Sequence, residues 1–377
     1  MLGPLSGLRV VELAGLAPAP FACTVLADLG ADVIRVDRAA PGADVLAVPD
    51  DPLARSRRWI GVDVKSAAGL DLVLRLVDRA DVLVEGFRPG VAERMGLGPD
   101  VLLARNPRLV YGRITGWGQD GPLAATAGHD INYIAVAGAL DPIGQAGGKP
   151  TVPLNLVGDF GGGGLMLAMG VLAALFERQT SGRGQVVDAS MVEGAALLTT
   201  TLHGLRGQGL WPNPRGENLL DGGAPFYDTY AAADGKYVAI GAIEVRFFAA
   251  LARLLGLPEG ANHLDPSTWP DLRERIAAAV RTRTRDEWAR LAEGTDACLS
   301  PVLTPEEATT HPHNVARGTF ASVGGRVQPA PAPRFGRTAP GTPNPPSEPR
   351  ADTADVLAEL GLSAAEIERL RESGAIA

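Results

Sequence analysis

Apolar runs in the first third of the chain are short, nearly unbroken, and separated by segments of helical period. Leu8-Arg9-Val10-Val11-Glu12-Leu13 reads as a buried strand, Pro20 to Leu29 as an apolar helix stopped by Gly30, and Ala31 to Asp37 as a second strand. Ile60 to Val64, Asp81 to Glu85 and Arg108 to Ile114 repeat the strand pattern, with a helix over Ala67 to Ala80. A strand with one wet face alternates apolar and polar residues, whereas one covered on both faces does not. Strands of the second kind, alternating with helices, predict an α/β fold: a Rossmann-like large domain with a parallel sheet. The glycine fingerprint that cradles a dinucleotide is absent from the first strand–helix turn, Leu13-Ala14-Gly15-Leu16-Ala17-Pro18.

From Pro225 the pattern changes. Phe226 to Ala231 and Lys236 to Gly241 alternate around Ala233-Asp234-Gly235, a hairpin turn. Helices follow over Val245–Leu255, Pro270–Val280 and Arg285–Leu291, and Thr304-Pro305-Glu306-Glu307 carries a cap, a first-position proline and a capping-box glutamate. Residues 328–349 hold eight prolines and predict an extended arm. Two short helices follow, separated by Gly361 and restarted by Ser363 and Glu366. The predicted organisation is a large domain over 1–200, a linker over 201–224 and a small α+β domain over 225–320. A Pro-rich return linker (321–350) and terminal helices (351–377) that pack on the large domain complete it.

Composition narrows the function classes. The chain has 377 residues, 46% hydrophobic and 21% charged, with a formal net charge of −8. That balance speaks against nucleic-acid binding by a basic surface, but leaves room for one basic cleft. Two cysteines, Cys23 and Cys298, lack metal-ligand spacing and read as reduced thiols. No secretory pattern opens the sequence, and the longest apolar stretch, Leu165 to Phe176, is short for a bilayer. A cytoplasmic protein without membrane attachment is expected.

Two polar breaks inside apolar sequence hold the candidate chemistry. Gly128-His129-Asp130-Ile131-Asn132-Tyr133 contains one of only five histidines. An imidazole exchanges protons near neutrality, though a buried histidine bonded to backbone is the plainer reading. Val157-Gly158-Asp159-Phe160 leads into four glycines, Gly161 to Gly164, and an apolar helix. Asp159 fits a helix cap equally well as a proton-transfer group beside backbone N–H donors. Glu244, at a strand–helix junction, fits a first-turn glutamate favoured by the helix dipole. Arg38, Arg55, Arg57, Arg58, Lys65, Arg88 and Arg94 follow strands, where ligands of open parallel sheets sit. His311-Pro312-His313 lacks a third ligand, so no metal is expected, and Ser190 lacks a nucleophile-elbow context.

Longer motifs carry a resemblance that is near full length. Leu5-Ser6-Gly7-Leu8-Arg9-Val10-Val11-Glu12-Leu13, Glu85-Gly86-Phe87-Arg88-Pro89-Gly90, Arg94-Met95-Gly96-Leu97-Gly98 and Ile114-Thr115-Gly116-Trp117-Gly118-Gln119-Asp120-Gly121-Pro122 resemble the family III coenzyme A transferases. The His129 segment and Asn218 to Asp228 resemble the α-methylacyl-CoA racemase branch, since transferases of this fold lack the histidine. The resemblance implies an isomerase that interconverts (R)- and (S)-2-methylacyl-CoA through an enolate. Asp159 and His129 would act as the two acid/bases, with Glu244 of the partner subunit orienting the imidazole. It implies that Arg38, Arg55, Lys65, Glu85, Arg88 and Arg94 bind CoA, and that Asp130, Tyr133 and Asn155 also line the substrate site. CoA is then part of the substrate, no separate cofactor is needed, and the fold is an interlocked homodimer. Arg55-Ser56-Arg57-Arg58-Trp59 departs from the usual family stretch. The alternatives are a transferase using Asp159 as nucleophile and a non-catalytic acyl-CoA-binding protein.

Overall fold

The computed structural model describes residues 3–40, 51–258 and 262–377. Strand β1 (Arg9–Leu13) lies between β2 (Asp32–Asp37) and β4 (Val82–Glu85). Beyond β2 comes β3 (Arg57–Gly61), and beyond β4 come β5 (Val110–Thr115) and β6 (Val186–Ser190). All these pairs are parallel, in the order β3-β2-β1-β4-β5-β6. This is the doubly wound arrangement, with its switch point between β1 and β4.

Side chains of a strand alternate between faces, so neighbours enter different cores. Val10 packs with Ala22 and Leu26 of helix Pro18–Asp28 and Val171 of helix Met166–Ser181. Val11 packs with Leu72 and Leu76 of helix Ala67–Val77. Val356, Leu357 and Ile367, from the terminal helices Thr353–Glu359 and Ala364–Glu372, join that second core.

β3 begins three residues before the expected Ile60. Its first two residues are arginines with buried or half-buried acid partners: Arg57 meets Glu12 and Arg58 meets Asp32. Paired charges inside a strand hide it from a hydrophobicity pattern. β6 escapes the pattern too, as does the antiparallel hairpin β10 (Phe320–Val323) and β11 (Arg326–Pro329), too short for a period to register.

The chain forms two compact units: Met1–Ala137, Leu154–Leu198 and His313–Ala377 make the first, and Gly138–Pro153 with Thr199–Pro312 make the second. Residues 138–153 thus stand apart from the rest of the expected large domain. Arg215 holds them in the second unit by donating to Asp141 O (2.7 Å), Asp141 Oδ1 (2.8 Å) and Gly148 O (3.3 Å). Most of the helix Thr200–Gly207 falls in the segment expected to be linker. In this unit β7 (Tyr227–Ala231), β8 (Tyr237–Gly241) and β9 (Leu299–Pro301) form an antiparallel sheet. Helices Val245–Leu255, Trp269–Val280 and Arg285–Ala292 share its core through Phe248, Ile276 and Trp288.

In the first unit, residues 330–352 have neither helix nor strand. Asn344 exchanges bonds with Ser56, and Asp352 Oδ2 accepts the Trp59 N–H at 2.7 Å. The arm is thereby laid along the edge strand β3.

Candidate active site

Leu156 to Ser181 is one 26-residue helical run, long and apolar enough by length and composition to cross a bilayer. Its inner residues Leu167, Ala168, Val171, Ala174 and Leu175 are buried in the sheet core. The first ten residues, Leu156–Leu165, are a π-helix, a widened coil that recurs at functional sites. Asp159 lies within it, and the N-cap position belongs to Asn155, so the cap reading of Asp159 falls away.

The four glycines are there for close approach. A Cβ on Gly162 would lie 2.6 Å from the Ala195 nitrogen, and one on Gly194 would lie 1.8 Å from Gly162 O. Helix Met191–Leu198 therefore sits backbone to backbone against the π-helix. A Cβ on Gly164 would meet Phe21 and Pro18 at 2.8 Å. This tight seat fixes where Asp159 points.

The second polar break arrives from helix Asp130–Val136. His129 holds its N-cap position, with its backbone N–H donated to Asn132 Oδ1 at 3.0 Å and its side chain exposed. Asp130, only 7% exposed, accepts the backbone N–H of Asp159 on Oδ1 at 2.6 Å. Asn155 Nδ2 donates to Asp159 Oδ2 at 3.2 Å. Tyr133 is buried, donates its hydroxyl to Gly128 O, and meets the Trp117 ring edge-on at 4.8 Å. Glycine at 116 and 128 leaves room for its ring.

Burial raises the Asp159 pKa above the ordinary carboxylate range, the amide of Asn155 lowers it, Asp130 adds to the rise and His129 opposes it. Tyr133 is also raised, by burial and then by Asp159, with Arg88 pulling it down. Asn155, Asp130 and His129 thus act on Asp159, and Asp159 and Arg88 act on Tyr133. The backbone N–H of Asp159 goes to Asp130 and that of Phe160 to Asn155 O (3.3 Å).

The expected CoA ligands divide in two. Arg38, Lys65, Arg88 and Arg94 are exposed and follow β2, β3 and β4, at the carboxyl ends of the parallel strands. Arg55 is instead 7% exposed and largely occupied: Nε and Nη2 bond Asp28 (3.0 and 2.5 Å), and Nη1 bonds Gln328 Oε1 (3.1 Å) and Pro329 O (2.9 Å). As folded it clamps β11 to helix Pro18–Asp28, with most of its donors spent inside the fold. Glu85 is wholly buried, with Oε1 on Arg113 (3.1 Å) and Oε2 accepting the Phe87 N–H (2.7 Å). It shapes the loop that carries Arg88 and does not face a ligand. Glu244 is exposed in the second unit at the N-cap position of helix Val245–Leu255, and its side chain makes no capping bond. A carboxylate there is still favoured by the helix dipole, as the sequence reading has it.

A family model, CoA-transferase family III, matches residues 5–353. The chain belongs to this family. It is 48% identical over 371 residues to the alpha-methylacyl-CoA racemase of Mus musculus, covering 97% of this chain and 96% of that protein. The Homo sapiens protein of the same name is 47% identical with the same coverage. Among solved structures, a CAIB/BAIF family protein from Brucella suis superposes with a TM-score of 0.81 at 28% identity, over 96% of this chain and all of that one (100%). Within this family III chain, the π-helix and the Asp130 bond to Asp159 are what sequence reasoning missed. The available signal was the pairing of a glycine run with a distant lone glycine, Gly194.

Proposed function

We propose that this family III chain is an isomerase, a racemase that interconverts (R)- and (S)-2-methylacyl-CoA thioesters. The observation that carries the reading is the placing of two proton-transfer groups from different elements: His129 holds the N-cap position of the helix whose first residue, Asp130, accepts the Asp159 N–H at 2.6 Å. Near-full-length identity to named racemases supports it.

In the proposed cycle one of the two groups takes the α-proton, and the electron pair of the broken C–H bond passes into the thioester as an enolate. The other group delivers a proton to the opposite face, so one proton enters and one leaves. A raised Asp159 pKa suits both halves: the acid keeps its proton nearer neutrality, and the ionised form is a stronger base than an ordinary aspartate. In an interlocked dimer, Glu244 of the partner subunit would orient the imidazole. Arg38, Lys65, Arg88 and Arg94 would hold the CoA phosphates.

The deciding experiment is proton NMR of a single-enantiomer 2-methylacyl-CoA with the protein in deuterated water, with no acceptor acid. Loss of the α-proton signal together with appearance of the other enantiomer is expected. No exchange, with CoA transfer on adding carboxylic acids, would make Asp159 a nucleophile and sink the racemase reading.

The division of the cations is testable by steady-state kinetics. Arg88→Ala should raise KM for the thioester about tenfold, the scale of one lost charged hydrogen bond. Arg55→Met should leave KM within about twofold while lowering the melting temperature, because it breaks a buried pair and no phosphate contact. A KM rise in Arg55→Met as large as in Arg88→Ala would show that Arg55 turns outward to the ligand.

A further inference from the structure

We infer that Asp130 is a positioning residue for Asp159: its buried carboxylate clasps the Asp159 N–H and fixes where that side chain can reach. The inference rests on the reading of Asp159 as the group that acts on the acyl-CoA. Three observations meet here. Asp130 Oδ1 lies 2.6 Å from the Asp159 nitrogen, joining the start of helix Asp130–Val136 to the π-helix. The clasp exists because residue 158 is glycine: a Cβ there would lie 2.5 Å from the same Oδ1. Asp130 is 7% exposed, and its other oxygen is buried with no hydrogen-bond partner among the described residues. A carboxylate kept dry and half-satisfied is costly to folding, which sets it apart from an ordinary surface cap.

Two consequences follow. The clasp removes the freedom of the π-helix to rotate Asp159 about its own backbone. Its charge also sits beside the Asp159 carboxyl and opposes ionisation of that group. Other groups facing Asp159 are Asn155 and His129, with Tyr133 on the same helix as Asp130 and Arg88 beyond it. Of the other helices packed on the π-helix, Pro18–Asp28 presents Cys23, buried beside Glu12, and Asp28, tied to Arg55. Met191–Leu198 presents Glu193, which accepts from Ser190. The helix Met166–Ser181 continues the same run, and its Glu177 and Arg178 stand more than three turns from Asp159.

The test separates shape from charge. Asp130→Asn keeps an oxygen that can accept the Asp159 N–H but loses the charge, whereas Asp130→Ala loses both. Each is compared with the unaltered protein in whichever reaction that protein performs, racemisation or CoA transfer. Failure of the racemase reading therefore shows in the unaltered protein, and failure of this inference shows only in the variants. Asp130→Ala is expected to lower kcat roughly 10- to 100-fold with KM changed less than about threefold, the effect of a reacting group misplaced by about an ångström. Asp130→Asn is expected to restore kcat to within about threefold. In the direction where Asp159 is the base, activity rises with pH as Asp159 ionises. Removing the neighbouring charge moves that rise to lower pH in Asp130→Asn. Gly158→Ala, which pushes the carboxylate away, should behave kinetically like Asp130→Ala.

If Asp130→Ala lowers only the melting temperature and keeps the kcat and pH profile of the unaltered protein, Asp130 is structural and the inference fails. It fails equally if Asp130→Asn loses as much as Asp130→Ala, or if the pH profile of Asp130→Asn does not move. Should Asp130→Ala not fold, Asp130→Asn still decides through its pH profile.

Discussion

Asp159→Asn and His129→Ala are each expected to slow interconversion of the enantiomers about 10²- to 10⁴-fold, the contribution of one positioned acid/base group. They should differ in what they keep. With Asp159 gone, His129 can still abstract the α-proton of the enantiomer that presents it to the imidazole. Its side chain is exposed, so the captured proton exchanges with solvent, and deuterium returns to the same face. Asp159→Asn should therefore exchange the α-proton of one enantiomer with retention, and His129→Ala that of the opposite enantiomer. NMR of each pure enantiomer in deuterated water with each variant reads this out. Racemisation by Asp159→Asn within tenfold of the unaltered protein would remove the two-base mechanism.

The largest loss of stability should come from a site outside the proposed chemistry. Glu12 is fully buried on β1 and accepts Arg57 Nη1 on both oxygens, at 2.9 and 2.7 Å, with Arg35 at 3.6 Å. Arg57 also donates Nη2 to Pro20 O and, at 2.6 Å, to Thr24 Oγ1. Register sets Glu12 beside Arg35 and Arg35 beside Trp59, whose ring the guanidinium overlies at 5.1 Å. Glu12→Ala leaves the Arg57 guanidinium dry and uncompensated, at an expected cost of about 3–5 kcal/mol. Urea unfolding of Glu12→Ala, Arg57→Ala and the double variant checks it. Because each single change strands the other charge, the double variant should lose clearly less than the sum of the two. Simple additivity would mean that the pair is not coupled.

These two sites mark what the sequence could and could not tell. The central strands were legible because Val10-Val11 and Val33-Ile34 are covered on both faces, and continuous apolar runs have few other uses. The start of β3 was hidden because Arg57 and Arg58 look like surface charges until Glu12 and Asp32 are set against them. His129 and Asp159 stood out as polar breaks in apolar surroundings. Their geometry did not, because the helix that holds Asp159 depends on Gly162 meeting Gly194, a contact between distant positions. Arg55 illustrates the same limit: an arginine after a turn looks like a phosphate ligand until Asp28 and Gln328 claim its donors.

The return of the chain to its first unit also governs how the protein can be made. A ribosome releases β1 to β6 long before Val356, Leu357, Leu360 and Ile367, which cover Leu72 and Leu76. Until those residues emerge, one side of the nascent sheet has only part of its apolar cover, and the intervening second unit has already been synthesised. The growing polypeptide therefore carries an unsealed greasy surface through most of its translation, an invitation to chaperones and to aggregation. Ending translation at Pro349 should leave that surface permanently open. The shortened product should then accumulate in inclusion bodies even though every strand of the parallel sheet is present.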